Sequence, residues 1–443
     1  MSVRQSFSRV GILPRDLKDL TRGQALWNAS VPVVSVVPLL QHREGDPAAC
    51  LVAPGDVVRE GMIIGRAAGP EGAHVHSPVP GTVRELREVF LPDGRRSPAV
   101  VIELGGEFDR LGKSVRKYPW ENHSQKDLLG IIADKGVVGM ESAVPTHLKY
   151  TIPKNRRVDL FILNCSECEP YLTANHRLML EKAPQIVEGA RIVAKILDPR
   201  RILIAVDKSR KDALDALGQA AKAAEFGAEI AMVGSWFPQG DEKQMIRTLT
   251  GLEVPSGGEA LDVGAVVSNV GTVFAVYEAV ALLKPVIEKA LTVAGGAIRN
   301  PGNLKVRIGT PLTDLVEECG GFVEMPEKIV IGGPMTGSAI FDLSTPVTKN
   351  TTGVLFLTSR EIRNSRRTNC LRCGRCVEAC PMGLDPTNLF KLIDHGAYGE
   401  AFGQGLKDCR ECGCCAYVCP ARIPLVQGLR VGKAVSLERG GAA

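Results

Sequence analysis

The chain has 443 residues, more than one ordinary hydrophobic core accommodates, so about two to four domains are expected. Its net charge of +5 is small for this length and no long basic run occurs, which argues against nucleic acid as a partner. No run of about eighteen apolar residues and no apolar leader segment are present, which predicts a soluble or peripheral protein. The thirteen cysteines indicate a reducing compartment.

The first part of the chain has the pattern of a small β domain. Between residues 31 and 101 short apolar runs alternate with turn signals such as Pro54-Gly55-Asp56 and Pro92-Asp93-Gly94. The segments GDVVREGMIIG and HSPVPGTV resemble the barrel-sandwich fold of lipoyl and biotinyl carriers. Those carriers attach their prosthetic group to a lysine, and this interval contains none, so a scaffold role is expected. We assign residues 1–115 to this barrel-sandwich domain.

The middle of the chain alternates helices with continuous apolar strands. Strands are predicted at residues 158–163, 201–206, 229–233 and 263–267. Strands of this kind are buried on both faces, as in a parallel sheet covered by helices. A nucleotide-type α/β domain is therefore predicted for residues 116–300. Shorter β-like runs follow, which predict a small α/β connector over residues 301–359.

Eight cysteines near the C-terminus repeat the spacing C-x2-C-x2-C-x3-C-P, by which bacterial ferredoxins hold two 4Fe-4S clusters. Three thiolates of each run lie on one tight loop, and the fourth begins a helix that crosses to the other cluster. This exchange predicts a first cluster ligated by Cys370, Cys373, Cys376 and Cys419. It predicts a second cluster ligated by Cys409, Cys412, Cys415 and Cys380. Zinc, the alternative, usually takes two separate pairs of cysteines. Residues 360–443 are assigned to a helical, double 4Fe-4S ferredoxin-like domain.

Three glycine-rich or acidic segments, at residues 136–149, 164–171 and 255–272, fall at predicted strand ends, where doubly wound sheets bind ligands. The order of a β sandwich, these segments, GGPMTG and two cysteine runs resembles the RnfC family, which supplies the C subunit of the Rnf complex, the membrane-bound ferredoxin:NAD oxidoreductase. The phrases CLRCGRCVEACPMGL and DCRECGCCAYVCPARIPLVQ are its most characteristic parts. The middle domain is similar to the flavin subunit of respiratory complex I. The connector is similar to β-grasp domains that bind soluble ligands.

The resemblance implies that the glycine-rich segment cradles FMN and that NADH stacks on the flavin. Carried over by position, the flavin and nicotinamide site comprises Gly136, Gly139, Lys149, Asn164, Glu167, Glu169 and Asn269. In this assignment Lys149 holds a phosphate, Asn164 and Asn269 bond polar edges of the flavin, and the two glutamates shape the nicotinamide side.

The chain departs from the family at the glycine-rich segment. The family normally reads G-x-G-G-A there, and this chain reads Gly139-Met140-Glu141-Ser142-Ala143. Glycine lets a backbone approach an anionic ligand, whereas Glu141 adds bulk and a negative charge near the phosphate.

The resemblance predicts a peripheral electron-transfer subunit of an ion-pumping oxidoreductase on the cytoplasmic side of the cell membrane. Electrons would pass between NAD(H), FMN and two 4Fe-4S clusters and on to membrane subunits, with other Rnf subunits as partners and ferredoxin as a further candidate. Two alternatives stay open. One is a flavin-free adaptor that relays single electrons through its clusters, which Glu141 and Ser142 favour. The other is a soluble flavoprotein reductase of a cobalamin-dependent pathway.

Overall fold

A computed structural model describes residues 4–5, 11–109, 117–362 and 366–438 of the chain. Its strands, in chain order, are β1 (Arg4–Gln5), β2 (Leu26–Asn28), β3 (Val34–Pro38), β4 (Ala49–Cys50), β5 (Val57–Val58), β6 (Ile63–Arg66), β7 (Val75–His76), β8 (Gly81–Phe90), β9 (Arg96–Leu104), β10 (Leu160–Cys165), β11 (Arg201–Asp207), β12 (Glu229–Val233), β13 (Ala265–Asn269), β14 (Glu288–Ala294), β15 (Gly302–Arg307), β16 (Lys328–Ile331), β17 (Ser338–Ile340) and β18 (Gly353–Leu357).

The α-helices are α1 (Gln125–Asp134), α2 (Thr146–Tyr150), α3 (Ala174–Glu181), α4 (Ala183–Leu197), α5 (Lys211–Ala223), α6 (Glu242–Thr250), α7 (Val270–Ala281), α8 (Leu312–Glu318), α9 (Arg375–Glu378), α10 (Pro386–Asp394), α11 (Tyr398–Gly403), α12 (Cys414–Val418) and α13 (Leu425–Glu438). Short 3₁₀ turns occur at Trp120–Asn122, Ala260–Val263 and Leu406–Asp408. Among these described helices, none combines the length and the apolar character that crossing a bilayer requires.

The middle domain is a five-stranded parallel sheet in the order β1-β12-β11-β10-β13. Its central strand β10 is buried along its whole length, with Phe161 packed into the helical layer on one face and Ile162 into the layer on the other. This double burial explains why the strands are apolar without alternation. The predicted parallel α/β domain is confirmed. Strands β10 and β13 begin two residues later than predicted, and Gly264, in a left-handed conformation, ends the 3₁₀ turn that precedes β13.

The connector is built on a six-stranded mixed sheet in the order β17-β16-β18-β14-β15-β2. Strand β2 comes from the start of the chain, and Gly302 lacks a side chain where Trp27 of β2 packs, since a Cβ there would lie 2.0 Å from the indole. Strand β14 also belongs to this sheet, although it precedes the predicted boundary at residue 301. The domain boundaries stay predictions. In the structure, two strands of the connector's sheet, β2 and β14, lie before residue 301, where the predicted connector begins.

The N-terminal domain packs the sheets β3-β9-β8-β5 and β4-β6-β7 around a small core that includes Val37, Ile64 and Val100. Lys349 fixes this domain to the middle domain. Its buried ammonium donates to the carbonyl oxygens of His74 and Gly136, both at 2.7 Å. The C-terminal domain is helical, with α10 and α13 packed together around Leu389 and Leu429. The N-terminal β, α/β, connector and helical domains therefore follow the predicted order.

Candidate functional site

A cavity of about 390 Å³ lies where the middle domain, the connector and the C-terminal domain meet. Its floor is the carboxyl edge of the parallel sheet, where Ser166 to Glu169 follow β10 and Asn269 ends β13. Ligands of doubly wound sheets bind at this edge because the loops there diverge and the helix N-termini point inward. The volume falls within the range of small-molecule and cofactor sites.

Glu167 lines the cavity and also closes the N-terminus of α3. Its carboxylate accepts hydrogen bonds from the backbone N–H groups of Asn175, at 2.9 Å, and His176, at 3.2 Å. The ammonium of Lys18 donates to the carbonyl oxygen of Glu167, and it lies 4.0 Å from the carboxylate. The helix dipole and this cation together stabilise the negative charge of Glu167. The Glu167 carboxylate is therefore already stabilised by partners within the protein.

Glu169 joins the middle domain to the connector across the cavity. Its carboxylate accepts from the backbone N–H groups of Met335, at 3.2 Å, and Thr336, at 2.9 Å, and from the Thr336 hydroxyl. A Cβ at Gly333 would lie 2.2 Å from the Glu169 carboxylate, which explains the glycine at this position. Burial raises the pKa of Glu169. Glu169, a residue of the predicted flavin and nicotinamide site, therefore binds the GGPMTG segment of the connector.

Glu141 projects into the cavity from a tight loop. The loop is closed by hydrogen bonds from Gly139 N to Val144 O, at 2.7 Å, and from Ala143 N to Gly139 O, at 2.8 Å. The Glu141 carboxylate is open to the cavity and accepts from the side-chain amides of Asn269, at 2.7 Å, and Asn175, at 3.1 Å. Desolvation by the cavity walls, then the neighbouring Glu167, raises the pKa of Glu141 to about 7.

A buried lysine lies behind this loop. Lys289 donates to the carbonyl oxygens of Met140, at 2.9 Å, and Lys349, at 2.8 Å. Burial lowers the pKa of its ammonium to about 7, while the charge of Glu141 acts in the opposite direction. Lys289 and Glu141 are therefore an electrostatically coupled pair at the edge of the cavity, and each stabilises the charged form of the other.

Three residues of the predicted flavin site lie away from the cavity, each with an internal partner. Gly136 packs against the N-terminal domain, where a Cβ would lie 2.3 Å from the His74 carbonyl oxygen. Lys149 pairs with Glu242 at 2.7 Å. Asn164 is buried and donates to the Gly240 carbonyl oxygen at 2.9 Å. Their assigned roles toward phosphate and flavin have no support from these positions.

Glu167, Glu169 and Asn269 line the cavity, and Gly139 shapes the loop that presents Glu141. The sequence reasoning missed Asn175 and Lys289. Asn175 stands in the first turn of α3, directly after the acidic segment, so its position carried a signal. Lys289 carried none, because only the packing of β14 against the loop brings it there.

The eight cysteines of the two runs line two further cavities. One, of about 270 Å³, is lined by Cys370, Cys373, Cys376 and Cys419. The other, of about 20 Å³, is lined by Cys380, Cys409, Cys412 and Cys415, together with Cys414. These groups match the predicted exchange of the fourth cysteine between runs. That they ligate clusters stays a prediction.

The loops have the same backbone geometry in both runs. Arg372 and Glu411 occupy corresponding left-handed positions, with φ of 52° and 53°, and Gly374 and Gly413 follow, with φ of 74° and 78°. The N–H groups of Arg372 and Glu411 lie 3.4 Å from the first sulfur of their run. Consecutive inward N–H groups of this kind stabilise the negative charge of thiolates and sulfides. The thiols and N–H donors around the two cavities are of the chemical kind that binds a 4Fe-4S cluster.

The second cysteine loop touches the large cavity. Cys412 and Arg410 are among the residues that line it. Arg410 also donates to the Asp241 carboxylate at 2.7 Å, and Asp408 accepts from the backbone N–H of Gly257 at 2.9 Å. Cys414, which is off the ligand spacing, is buried with its sulfur 3.7 Å from the Phe237 carbonyl oxygen. The second cysteine loop therefore lies at the wall of the large cavity.

Family comparisons match each of the four parts. Residues 6–107 match the RnfC barrel sandwich hybrid domain and residues 132–278 the Nuo51 FMN-binding domain. Residues 291–339 match the SLBB domain and residues 369–423 a 4Fe-4S dicluster domain. The structure is also similar to a chain of the NAD+-reducing [NiFe]-hydrogenase in the H2-reduced state. The TM-score is 0.50 and the identity 17%, over 72% of this chain and 62% of that one, which shows a shared fold.

Full-length relatives agree with these matches, and each is the C subunit of a translocating complex. The chain is 39% identical to that of the proton-translocating ferredoxin:NAD(+) oxidoreductase complex of Clostridium ljungdahlii, over 89% of this chain and 86% of the relative. It is 37% identical to that of the ion-translocating oxidoreductase complex of Rhodobacter capsulatus, over 98% and 84%. It is 36% identical to that of the Na(+)-translocating ferredoxin:NAD(+) oxidoreductase complex of Acetobacterium woodii, over 98% of each. The resemblance inferred from the cysteine runs is confirmed, and the chain belongs to the RnfC family of electron-transfer subunits of ion-translocating oxidoreductase complexes.

Proposed function

We propose that this subunit lies on the cytoplasmic side of the membrane and passes electrons between NAD(H), at the large cavity, and the membrane subunits of its complex. The route runs from the cavity to the cluster at Cys380, Cys409, Cys412 and Cys415, and then to the cluster at Cys370, Cys373, Cys376 and Cys419. One observation carries the proposal: Cys412 and the flavin-segment residues Glu167 and Asn269 line the same cavity. A cofactor bound in this cavity would contact both the residues assigned to the flavin and nicotinamide site and Cys412 of the second cysteine run.

A flavin held in the cavity would supply hydride exchange with nicotinamide and single-electron exchange with a cluster. The protein's own contribution is to orient the ring and to exclude water. The side-chain amides of Asn175 and Asn269 are its polar donors, and Phe237 and Phe274 supply apolar wall. Glu167 and Glu169 keep their carboxylates bonded to backbone N–H groups, so they shape the cavity without presenting free charge to a ligand.

A flavin-free adaptor is the second candidate, and Glu141 is the observation that favours it. Its carboxylate already accepts one hydrogen bond from each of the two side-chain amides that would serve an anionic cofactor. The same carboxyl has a pKa raised to about 7, so near neutral pH a large fraction is uncharged. An uncharged acid can donate a hydrogen bond to a phosphate oxygen. The similarity of residues 132–278 to the Nuo51 FMN-binding domain supports the flavin-containing form, which we favour.

Chemical analysis and optical spectra of the anaerobically purified chain test the choice. We expect iron and sulfide for two 4Fe-4S clusters together with one flavin whose absorption is bleached by NADH. Iron and sulfide without flavin would establish the adaptor instead.

The variant Asn269→Asp keeps the helix cap but adds a charge beside Glu141, and we expect at least about tenfold weaker FMN binding. Asn155→Asp, at an exposed position outside the cavity, is the matched control and should bind FMN as the wild type does.

The cytoplasmic placement has its own test. In intact cells the chain should be protected from an external protease, and after lysis it should sediment with membranes that contain the integral subunits. Digestion in intact cells would place it on the opposite side.

A further inference from the structure

The two cysteine loops carry opposite charges at one matching position. Arg372 and Glu411 each stand two residues after the first cysteine of their run, in the same left-handed conformation, with φ of 52° and 53°. The backbone N–H of each lies 3.4 Å from that first sulfur. Because these backbone donors are alike, the two loops differ chiefly in the side chains around them. The repeat therefore isolates the effect of charge on two otherwise similar sites.

Cations outnumber carboxylates around the first site, which is the cavity lined by Cys370, Cys373, Cys376 and Cys419. The charged side chains that line this cavity are Arg372, Lys391 and Asp385. The exposed charged side chains beside it are Arg366, Arg367, Arg375 and Glu378. Within the described part of the chain, none of the four arginines has an acidic side chain at ion-pair distance. Five cations and two carboxylates leave a surplus of three positive charges.

The charges around the second site, the cavity lined by Cys380, Cys409, Cys412 and Cys415, are paired. The ion pairs are Arg410 with Asp241 at 2.7 Å, Lys243 with Asp408 at 3.9 Å, and Glu411 with Arg430 at 3.4 Å and with Lys433 at 3.5 Å. Four cations and three carboxylates leave a surplus of one positive charge. The first site therefore has two more positive charges than the second.

Solvent and a hydroxyl group also distinguish the two sites. Cys373 of the first site is exposed, whereas Cys409 and Cys415 of the second are buried. The Thr387 hydroxyl lies 2.9 Å from the Cys376 sulfur, and it donates there when that sulfur is a thiolate. Water and this donor stabilise added negative charge at the first site, and burial disfavours it at the second.

These differences act on the reduction potential of a cluster. Reduction adds one negative charge to a centre that four thiolates already make anionic, so nearby cations, donors and water favour the reduced form. A unit charge about 10 Å away, in an effective dielectric of about 50, changes such an equilibrium constant about threefold. Two additional charges give a factor of about ten, which is about 59 mV for one electron.

We propose that Arg372 and Glu411 set the order of the two cluster potentials, with the first site as the better electron acceptor. One electron leaves the reduced centre at the second site and enters the oxidised centre at the first, and no bond forms or breaks. Arg372 and Glu411 act through the clusters beside them, so they are positioning residues. The inference rests on the proposed function, since it requires a cluster at each site. It makes the step away from the large cavity favourable.

A redox titration of the anaerobically purified, cluster-loaded chain tests the proposal without turnover. Electron paramagnetic resonance follows each reduced cluster as dithionite lowers the solution potential in the presence of mediators. The test variants R372Q and E411Q each remove one charge at the matching position. R372K keeps the charge, and R59Q, at an exposed arginine of the N-terminal domain, is the matched control.

We expect the wild type to show two potentials that differ by at least about 59 mV. R372Q should lower the higher potential about threefold in equilibrium constant, or about 28 mV, and leave the lower one unchanged. E411Q should raise only the lower potential, by a similar amount. R372K and R59Q should change neither. If R372Q loses iron, E411Q alone decides, because it identifies the potential that belongs to the second site.

Several results would overturn the proposal. These are a shift of the lower potential in R372Q, a shift of the higher potential in E411Q, no shift in either variant, and an equal shift in R59Q. Analysis of iron and sulfide separates this inference from the proposed function. Two clusters whose potentials ignore Arg372 and Glu411 would refute the ordering alone, and a chain without clusters would refute both.

Discussion

Replacing Glu141 by glutamine should strengthen FMN binding, and only in the pH range where the acid is ionised. The cavity of about 390 Å³ is about 9 Å across if treated as a sphere, so a phosphate in it lies within about 8 Å of the Glu141 carboxylate. At that distance and an effective dielectric of about 20, one unit of like charge costs about 2 kcal/mol, or a factor of about 30 in the dissociation constant.

The effect of Glu141 on FMN affinity depends on pH because its carboxyl group titrates near neutral pH. The pKa of Glu141 is raised to about 7, so the carboxyl is mostly neutral one pH unit below that value and mostly ionised one unit above it. We expect wild-type FMN affinity to fall as pH rises through this range. One pH unit above that value, E141Q should bind about eightfold more tightly than the wild type, because the wild type can take up a proton on binding. The ratio should approach about 30-fold at higher pH and stay within about threefold on the acid side. The FMN phosphate is common to both proteins, so the difference between them belongs to Glu141 and to Lys289, whose charged form Glu141 stabilises.

Fluorescence titration of the flavin-free protein with FMN and with riboflavin is the assay. Riboflavin lacks the phosphate, so E141Q should leave its affinity nearly unchanged. The exposed carboxylate Glu378, replaced by glutamine, is the control for a general change in charge. An equal gain for riboflavin would show that Glu141 acts by bulk and not by charge. A difference between wild type and E141Q that does not vary with pH would refute the assignment of the raised pKa.

Two further predictions concern the neighbouring contacts. Gly333→Ala should displace the Glu169 carboxylate, because the new Cβ would lie 2.2 Å from it, and it should lower the free energy of unfolding by about 1–3 kcal/mol. Gly403→Ala, which has open space around its Cβ, is the control and should change the free energy of unfolding little. Equal losses in the two variants would contradict this prediction. Cys419→Ser and Cys373→Ser should each remove the same cluster signal in electron paramagnetic resonance of the reduced protein, since the two cysteines line one cavity; loss of different signals would contradict the predicted exchange.

Much of the fold is readable from the sequence because the signals are local. The continuous apolar runs at β10 to β13 require burial on both faces, and the repeated cysteine spacing requires two similar loops. The structure adds what the spacing could only suggest, namely that Cys380 and Cys419 each lie beside the three cysteines of the other run.

The cavity is less predictable because its contacts join distant parts of the chain. Lys149 was assigned to a phosphate, a role that stays a prediction, and in the structure it forms a salt bridge with Glu242. Gly136 was assigned to the flavin, and it allows the close approach of the His74 carbonyl from another domain. Glu141 was recognised as a departure, but its two amide partners arise from the meeting of α3 and α7. A single sequence holds no record of such pairings.

The strand β2 has a consequence for how this polypeptide is made. It pairs with β15, and nearby Ser30 bonds to Glu318, 288 residues further along. A nascent chain emerging from the ribosome therefore presents an unpaired edge strand until most of its length has been translated. Its N-terminal segment depends for completion on residues synthesised much later, so cutting the gene at the predicted domain boundaries should give fragments that aggregate unless they are produced together.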